Sequence, residues 1–238
     1  MKMLLTLLAI ALLHTAFAEV PKRVLFIGNS YTGGIKHTLN AMLEHEGIDV
    51  EVAYLNPGGK TLAWHWENDS KERILQGDWD VVVLQDQSQT PAYPGLQESF
   101  FKASTQLADF IRAHDAKPVL YLTWGRKDGD RQNITRSPNY ATMQDRLSAS
   151  YERAAEQTGA MLVPCGEVWR QVRLMDPELG EKLYAKDGSH PSAHGAYLVA
   201  ATFTARLFGK APASIGYAGG LSEGERETVL RAVEGTLR

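Results

Sequence analysis

The strongest constraint on the fold is a repeated alternation between short strand-like runs and amphipathic helical segments. Five runs have the length and composition of strands, and they cover residues 23–28, 49–55, 80–85, 117–124 and 160–164. Between them, apolar residues recur at helical spacing, as in the stripe formed by Phe100, Leu107 and Ile111. Near-continuous apolar strands separated by helices indicate a parallel sheet that is covered on both faces. We therefore predict an α/β fold, a three-layer α/β/α sandwich around a parallel five-stranded sheet.

The first eighteen residues have the pattern of a signal peptide. Lys2 precedes an apolar run over residues 3–13, and the small residues of a cleavage site follow at 16–18. The run is shorter than the roughly 20 apolar residues that span a bilayer core, although an uncleaved anchor is the alternative interpretation. We predict a signal peptide over residues 1–18, one domain over 19–238, and a secreted or periplasmic protein without stable membrane insertion after cleavage.

Charge and cysteine content exclude several classes of protein. The formal net charge of −3 at pH 7 provides no basic surface for nucleic acid or for an anionic membrane. Cys165 is the single cysteine, so the chain forms no internal disulfide. Its neighbours are apolar, which predicts a packed thiol rather than a nucleophile.

Polar and glycine-rich clusters follow four of the predicted strands. They occupy residues 28–30 (GNS), 56–59 (NPGG), 85–88 (QDQS) and 124–126 (WGR). In open parallel sheets, ligands bind beyond the carboxyl ends of the strands. We therefore expect a binding or catalytic site at this edge of the sheet.

Two familiar motifs nearly match these clusters. Residues 56–61 (NPGGKT) end like a phosphate-binding P-loop, but Tyr54 stands where the first glycine is required, which excludes that motif. Residues 28–32 (GNSYT) resemble the nucleophile elbow, but Thr32 stands at the second glycine position. An α/β-hydrolase of the usual kind is therefore disfavoured, and Ser30 on this evidence alone could simply cap a helix.

A short segment near the carboxyl end combines an acid with a histidine. Asp187 and His190 stand three residues apart, just before a helix that we predict to begin at Pro191. A carboxylate that holds one imidazole nitrogen leaves the other free to act as a base, although an ordinary loop pair without a role is the better interpretation of this motif on its own. His194 does not form a metal pair with His190, because Pro191 interrupts the helical spacing and no third ligand is suitably placed. Residues 127–130 (KDGD) lack the ligand series of a calcium loop and are predicted to form a solvated turn.

Together, four blocks resemble the SGNH, or GDSL-like, serine hydrolases. They are IGNS at 27–30, NPGGKT at 56–61, VVVLQDQS at 81–88 and DGSH at 187–190, in the order that the family has. The family's fold is a flavodoxin-like α/β/α sandwich, in agreement with the fold predicted above. The resemblance implies a serine esterase in which Ser30 is the nucleophile, His190 the base and Asp187 the residue that orients His190.

The resemblance also implies an oxyanion hole. Its donors would be the backbone N–H groups of Ser30 and Gly59 and a side-chain amide from the third block. This chain departs from the family there, because Gln87 stands at the asparagine position and Gln85 is a competing candidate. A glutamine at this position is similar to the pattern of a secreted subgroup of the family.

The resemblance implies no cofactor and no metal, and its substrate would be a small-molecule or carbohydrate acyl ester. Short-chain esters, such as O-acetyl groups on carbohydrates, suit an exported member of this family, and lipid esters are an open alternative for the substrate. Two alternatives remain open at this point. One is a non-catalytic secreted protein that binds carbohydrate or another ligand on the same scaffold, and the other is an acyltransferase.

Overall fold

The sheet contains five parallel strands. The computed structural model describes residues 19–68 and 70–238, so the predicted signal peptide lies outside the described residues. The strands are β1 (Arg23–Ile27), β2 (Glu51–Leu55), β3 (Val81–Leu84), β4 (Lys117–Tyr121) and β5 (Met161–Val163). They are ordered β2-β1-β3-β4-β5, the flavodoxin-like order. The predicted α/β fold with a five-stranded parallel sheet is confirmed.

Helices connect the strands and cover both faces of the sheet. In the described part of the chain they are α1 (Ser30–His45), α2 (Leu62–Glu67), α3 (Ser70–Leu75), α4 (Gln89–Ala92), α5 (Gln97–Arg112), α6 (Tyr140–Thr158), α7 (Cys165–Met175), α8 (Pro177–Lys182), α9 (Ala193–Phe208) and α10 (Glu223–Leu237). None of the helices in this part has the length and apolar character needed to cross a membrane.

Alternation along the strands creates two separate cores. Val24 and Phe26 of β1 belong to a buried cluster with residues of α1, α7, α9 and α10. Leu25 and Ile27 belong to a second cluster with residues of α2, α5 and α6. Because successive side chains of a strand point to opposite faces, every central strand contributes to both cores. The three layers follow from this pattern.

The segment before α9 differs from the prediction. The helix begins at Ala193 rather than at Pro191, because the Ser192 hydroxyl accepts hydrogen bonds from the N–H groups of His194 (3.1 Å) and Gly195 (3.3 Å) and so caps the helix. Pro191 forms an isolated antiparallel bridge with Tyr184 instead. This bridge leaves the residues just before Pro191 in a loop at the edge of the sheet.

Candidate active site

Ser30 is the first residue of α1, directly after the turn that leaves β1. Asn29 caps this helix, since its side-chain oxygen accepts a hydrogen bond from the Tyr31 N–H at 3.1 Å. The N–H of Ser30 belongs to the first turn, where helical geometry provides no partner for the amides. The hydroxyl of the half-buried Ser30 therefore lies beside an amide without an intrahelical partner, at the positive end of a sixteen-residue helix.

Gln85 supports this turn from below. Its fully buried side-chain oxygen accepts from the N–H of Asn29 and from the hydroxyl of Thr32, both at 2.9 Å, and its nitrogen donates to the Asp86 carbonyl. A Cβ at Gly28 would lie 2.6 Å from that oxygen, so only glycine permits the contact. The Gln85 side chain is therefore engaged with the turn that carries Ser30, and the assignment of Gln87 as the oxyanion donor stays a prediction.

His190 connects Ser30 to Asp187. Its Nε2 atom lies 2.8 Å from the Ser30 hydroxyl oxygen, and its Nδ1 atom lies 2.5 Å from a carboxylate oxygen of Asp187. Since an ionised carboxylate only accepts hydrogen bonds, Nδ1 carries the ring proton and Nε2 has the free lone pair. The imidazole is therefore in the tautomer that can take a proton from the serine hydroxyl.

Asp187 remains a carboxylate although the loop partly encloses it. Burial by itself would raise the pKa of Asp187, but hydrogen bonds from the His190 ring and from the N–H groups of Ser189 and His190 lower it below its usual value. These two backbone donors lie 2.9 and 3.0 Å from the second carboxylate oxygen, Oδ1. One oxygen thus fixes the carboxylate to the loop, and the other holds the imidazole.

A stack of aromatic rings holds the loop in place. Tyr31 and Trp124 are parallel, with ring centroids 4.9 Å apart, and Trp124 stacks on Trp169 at 4.1 Å. The Trp124 indole donates to the Ser189 carbonyl at 3.0 Å, and the Tyr31 hydroxyl lies 2.6 Å from the Ser189 hydroxyl. The residue next to His190 is therefore held by α1 and by the segment after β4.

Gly59 lies in the loop between β2 and α2. Its φ of +69° is in the left-handed region that favours glycine. The Asn29 side chain donates to the Lys60 carbonyl at 3.0 Å, and the Leu62 N–H donates to Asp86 at 3.1 Å. Both contacts tie this loop to the strand ends that deliver Ser30 and Gln87.

Asp86 is a buried acid. Burial raises its pKa to about 7, although hydrogen bonds from the Gln87 and Leu62 amides act to lower it. One of its oxygens is buried without a hydrogen-bond partner in the described chain. Because the folded chain binds this proton more tightly than the unfolded chain, protonation of Asp86 contributes fully to the free energy of unfolding below about pH 4, and this contribution is lost as pH rises through 7.

We expect Asp86→Asn, which cannot ionise, to be free of this loss. The free energy of unfolding of the variant minus that of the wild type should therefore increase by about 3 kcal/mol from pH 5 to pH 8. Urea unfolding at several pH values measures this, and a pH-independent difference would contradict it.

Gln87 follows Asp86, and its half-buried side chain contacts the start of α4. Its nitrogen donates to the Gln89 side-chain oxygen at 2.9 Å, and its oxygen accepts from the Gln89 N–H at 2.7 Å. Gln89 in turn donates to Asp130 at 2.5 Å. Asp130 is fully buried, so the prediction of a solvated turn over residues 127–130 is wrong at this residue. The sequence placed Gln85 and Asp86 in the polar cluster at 85–88, but the contacts of Gln85, Asp86, Gln89 and Asp130 had no sequence signal, because they join distant segments.

The described residues contain no cluster of three or more His, Cys, Asp or Glu side chains that could hold a metal ion. The Nε2 atom of His194 lies 3.4 Å from a carboxylate oxygen of Glu225 in α10. Cys165 is fully buried, and burial raises its pKa well above the ordinary value of a thiol. The prediction of a packed, unreactive thiol agrees with this environment.

The sequence matches no protein-family model and no curated protein. Among solved structures, a DUF4886 family protein from Bacteroides uniformis has a TM-score of 0.77 at 19% identity, covering 90% of this chain and 94% of that chain. A protein assigned to the SGNH hydrolases from Slackia heliotrinireducens has a TM-score of 0.67 at 27% identity, covering 78% and 98%. An acetyl xylan esterase has a TM-score of 0.63 at 16% identity, covering 76% and 97%. The predicted resemblance to the SGNH hydrolases is confirmed, and the structures that share the fold include an esterase.

Proposed function

We propose that this chain, which has the fold of the SGNH hydrolases, is a serine esterase that hydrolyses short-chain acyl esters through an acyl-enzyme. The observation that carries the proposal is the continuous hydrogen-bonded chain from Ser30 through His190 to Asp187. A serine that only capped α1 would need no imidazole at 2.8 Å, and Asn29 already caps that helix. The arrangement therefore favours nucleophilic catalysis over a structural serine.

In the proposed reaction, the Ser30 oxygen attacks the acyl carbon while His190 Nε2 accepts the hydroxyl proton. Asp187 holds the imidazole in place and stabilises the imidazolium that forms. As the tetrahedral intermediate collapses, the ester C–O bond breaks and His190 donates the proton to the leaving alcohol. Water then attacks the acyl-enzyme by the same route, which releases the carboxylic acid and restores Ser30.

The oxyanion of the tetrahedral intermediate would accept hydrogen bonds from three donors. We assign these to the backbone N–H groups of Ser30 and Gly59 and to the side-chain amide of Gln87. Each donor of this kind is worth about 2.7–4 kcal/mol in the transition state. The position of Ser30 at the start of α1 adds the favourable potential of a helix N-terminus.

The surroundings of His190 favour a polar alcohol. A cavity of about 290 Å³ on the Asp187 side of the imidazole adjoins the site, and it is lined by Arg126, Asp128, Arg131, Gln132, Asp187 and Ser189, among other residues. Charged and amide groups of this kind hydrogen-bond hydroxyl groups and disfavour a lipid chain. We therefore propose O-acetyl groups on carbohydrates as the substrate class, which the structural likeness to an acetyl xylan esterase also supports.

Hydrolysis of p-nitrophenyl esters of increasing acyl length tests this proposal, together with acetate release from acetylated oligosaccharides. We expect an initial burst of p-nitrophenol with acetate and a steep loss of kcat/KM from butyrate to octanoate. Absence of turnover would contradict the esterase proposal and favour the alternative of a carbohydrate- or ligand-binding protein. An acyltransferase would instead transfer the acetyl group to an added sugar in preference to water.

We also propose that the protein is exported. This part of the proposal rests on the sequence pattern of residues 1–18. Cell fractionation with amino-terminal sequencing of the mature chain tests it, and an intact amino terminus in the cytoplasm would overturn it.

A further inference from the structure

Asp130 is a buried carboxylate that the proposed chemistry does not use directly. Burial alone would raise its pKa, but hydrogen bonds from Tyr93, Gln89 and Asn133 and the charge of Arg126 lower it to about 2. The guanidinium of Arg126 lies 2.6 Å from one carboxylate oxygen, and the Gln89 side chain lies 2.5 Å from the other. Asp130 is therefore an anion at neutral pH and acts only as a hydrogen-bond acceptor.

This acceptor determines the orientation of two successive side-chain amides. Because Asp130 cannot donate, Gln89 must turn its nitrogen toward Asp130 and its oxygen toward Gln87. Gln87 must then present its nitrogen to that oxygen, while its own oxygen accepts from the Gln89 backbone N–H at 2.7 Å. Each of the two amides thus has a single orientation that satisfies its partners.

The orientation leaves one donor of Gln87 available. A primary amide has two N–H groups, and within the described chain Gln89 accepts from only one of them. The strand register places Ile27 of β1 opposite Leu84 of β3, so Ser30 and Gln87 lie equally far beyond paired residues of adjacent strands. The second N–H of Gln87 thus belongs to the same edge of the sheet as the Ser30 hydroxyl.

The segment that carries Asp130 also supports the loop of His190. The Lys127 N–H donates to the Gly188 carbonyl at 2.8 Å, and the Trp124 indole donates to the Ser189 carbonyl at 3.0 Å. One connection, residues 124–130, therefore contacts both the acid–histidine loop and the partner of Gln87. A displacement of this connection would move both sides of the site together.

We propose that Gln89 and Asp130 are positioning residues that orient the Gln87 amide so that its free N–H donates to the oxyanion. This inference rests on the proposed esterase function. It also accounts for the departure from the family's asparagine, because the longer glutamine side chain needs a partner that restricts its additional rotatable bond.

A double-mutant cycle between Gln87 and Gln89 tests the relay, with p-nitrophenyl acetate as the substrate. We expect Gln87→Ala to lower kcat about 10²-fold and Gln89→Met about tenfold, with KM little changed in both, because the oxyanion exists only in the transition state. In the Gln87→Ala background, Gln89→Met should change kcat less than twofold. Binding of a trifluoromethyl ketone, which forms a tetrahedral adduct with the serine, should weaken in proportion to kcat/KM.

Gln97→Met is the matched control. Gln97 donates to the Pro91 carbonyl and to Ser150 in the neighbouring helices, so its loss removes glutamine hydrogen bonds that involve neither Gln87 nor Asp130. We expect its kcat to equal that of the wild type. Gln89→Leu, with melting curves for all variants, replaces Gln89→Met if the latter does not fold.

The outcomes separate the two proposals. An inactive wild type contradicts the esterase function itself. If the wild type is active, three results would overturn the relay while the esterase proposal stands. They are an unchanged kcat in Gln89→Met, an unchanged kcat in Gln87→Ala, or an equal loss of kcat from Gln89→Met in the wild-type and Gln87→Ala backgrounds.

Discussion

Ser30→Ala and His190→Ala will each lower kcat for p-nitrophenyl acetate by as much as ~10⁶. Ser30 supplies the atom that bonds to the acyl group, and His190 Nε2, 2.8 Å away, is the acceptor for its proton. Loss of Ser30 removes the nucleophile, and loss of His190 removes the base that activates it. The double variant should therefore be no slower than either single variant, because the two residues act as one unit.

His194→Ala is the matched control for this pair. His194 lies on α9, four residues beyond His190, and contacts Glu225 rather than the serine. We expect it to retain wild-type kcat, and melting curves should show that all three variants are folded. Retention of more than about a tenth of wild-type kcat by Ser30→Ala would show that the observed turnover does not pass through an acyl-serine.

Asp187→Asn will lower kcat about 10⁴-fold while the loop keeps its shape. The side-chain oxygen of asparagine can still accept from the N–H groups of Ser189 and His190, which hold the loop. The new NH₂ group then faces His190 Nδ1 and can only donate to it. The ring proton moves to Nε2, so the imidazole no longer accepts the proton of Ser30.

The same carboxylate determines how far the Asp187–His190 contact withstands acid. Since the pKa of Asp187 is held below its usual value, the carboxylate stays ionised at neutral pH, and its hydrogen bond with His190 is lost only as pH falls through that lowered pKa.

Asp176→Asn is the control for Asp187→Asn, because Asp176 caps α8 and asparagine caps a helix equally well. If Asp187→Asn kept kcat within tenfold of the wild type, His190 would not depend on Asp187 for its tautomer.

The fold was predictable because its signals are local. Apolar runs and helical stripes can be read within windows of about ten residues, and together they indicated a parallel sheet between two helical layers. The error at Pro191 has an equally local cause. Both Pro191 and Ser192 are suitable residues for the start of a helix, and only the hydrogen bonds of the Ser192 hydroxyl decide between them.

The candidate site was predictable only in part. Asp187 and His190 are close in sequence, so their spacing suggested the pair that the structure shows at 2.5 Å. Ser30 is 160 residues from His190, and no local pattern relates the two. The resemblance to a family with four ordered blocks, not the periodicity, identified that pair.

The sequence by itself determined the layers, the strands and the chemical types of residue at one edge of the sheet, because periodicity and block order are properties of the linear chain. Only the tertiary structure decided which partners each amide has. Gln85 and Gln87 are two residues apart and chemically identical, yet one is buried against Asn29 and the other is oriented through Gln89 by Asp130. Hydrogen-bond direction depends on partners that folding brings together from distant segments, and that information has no local signature.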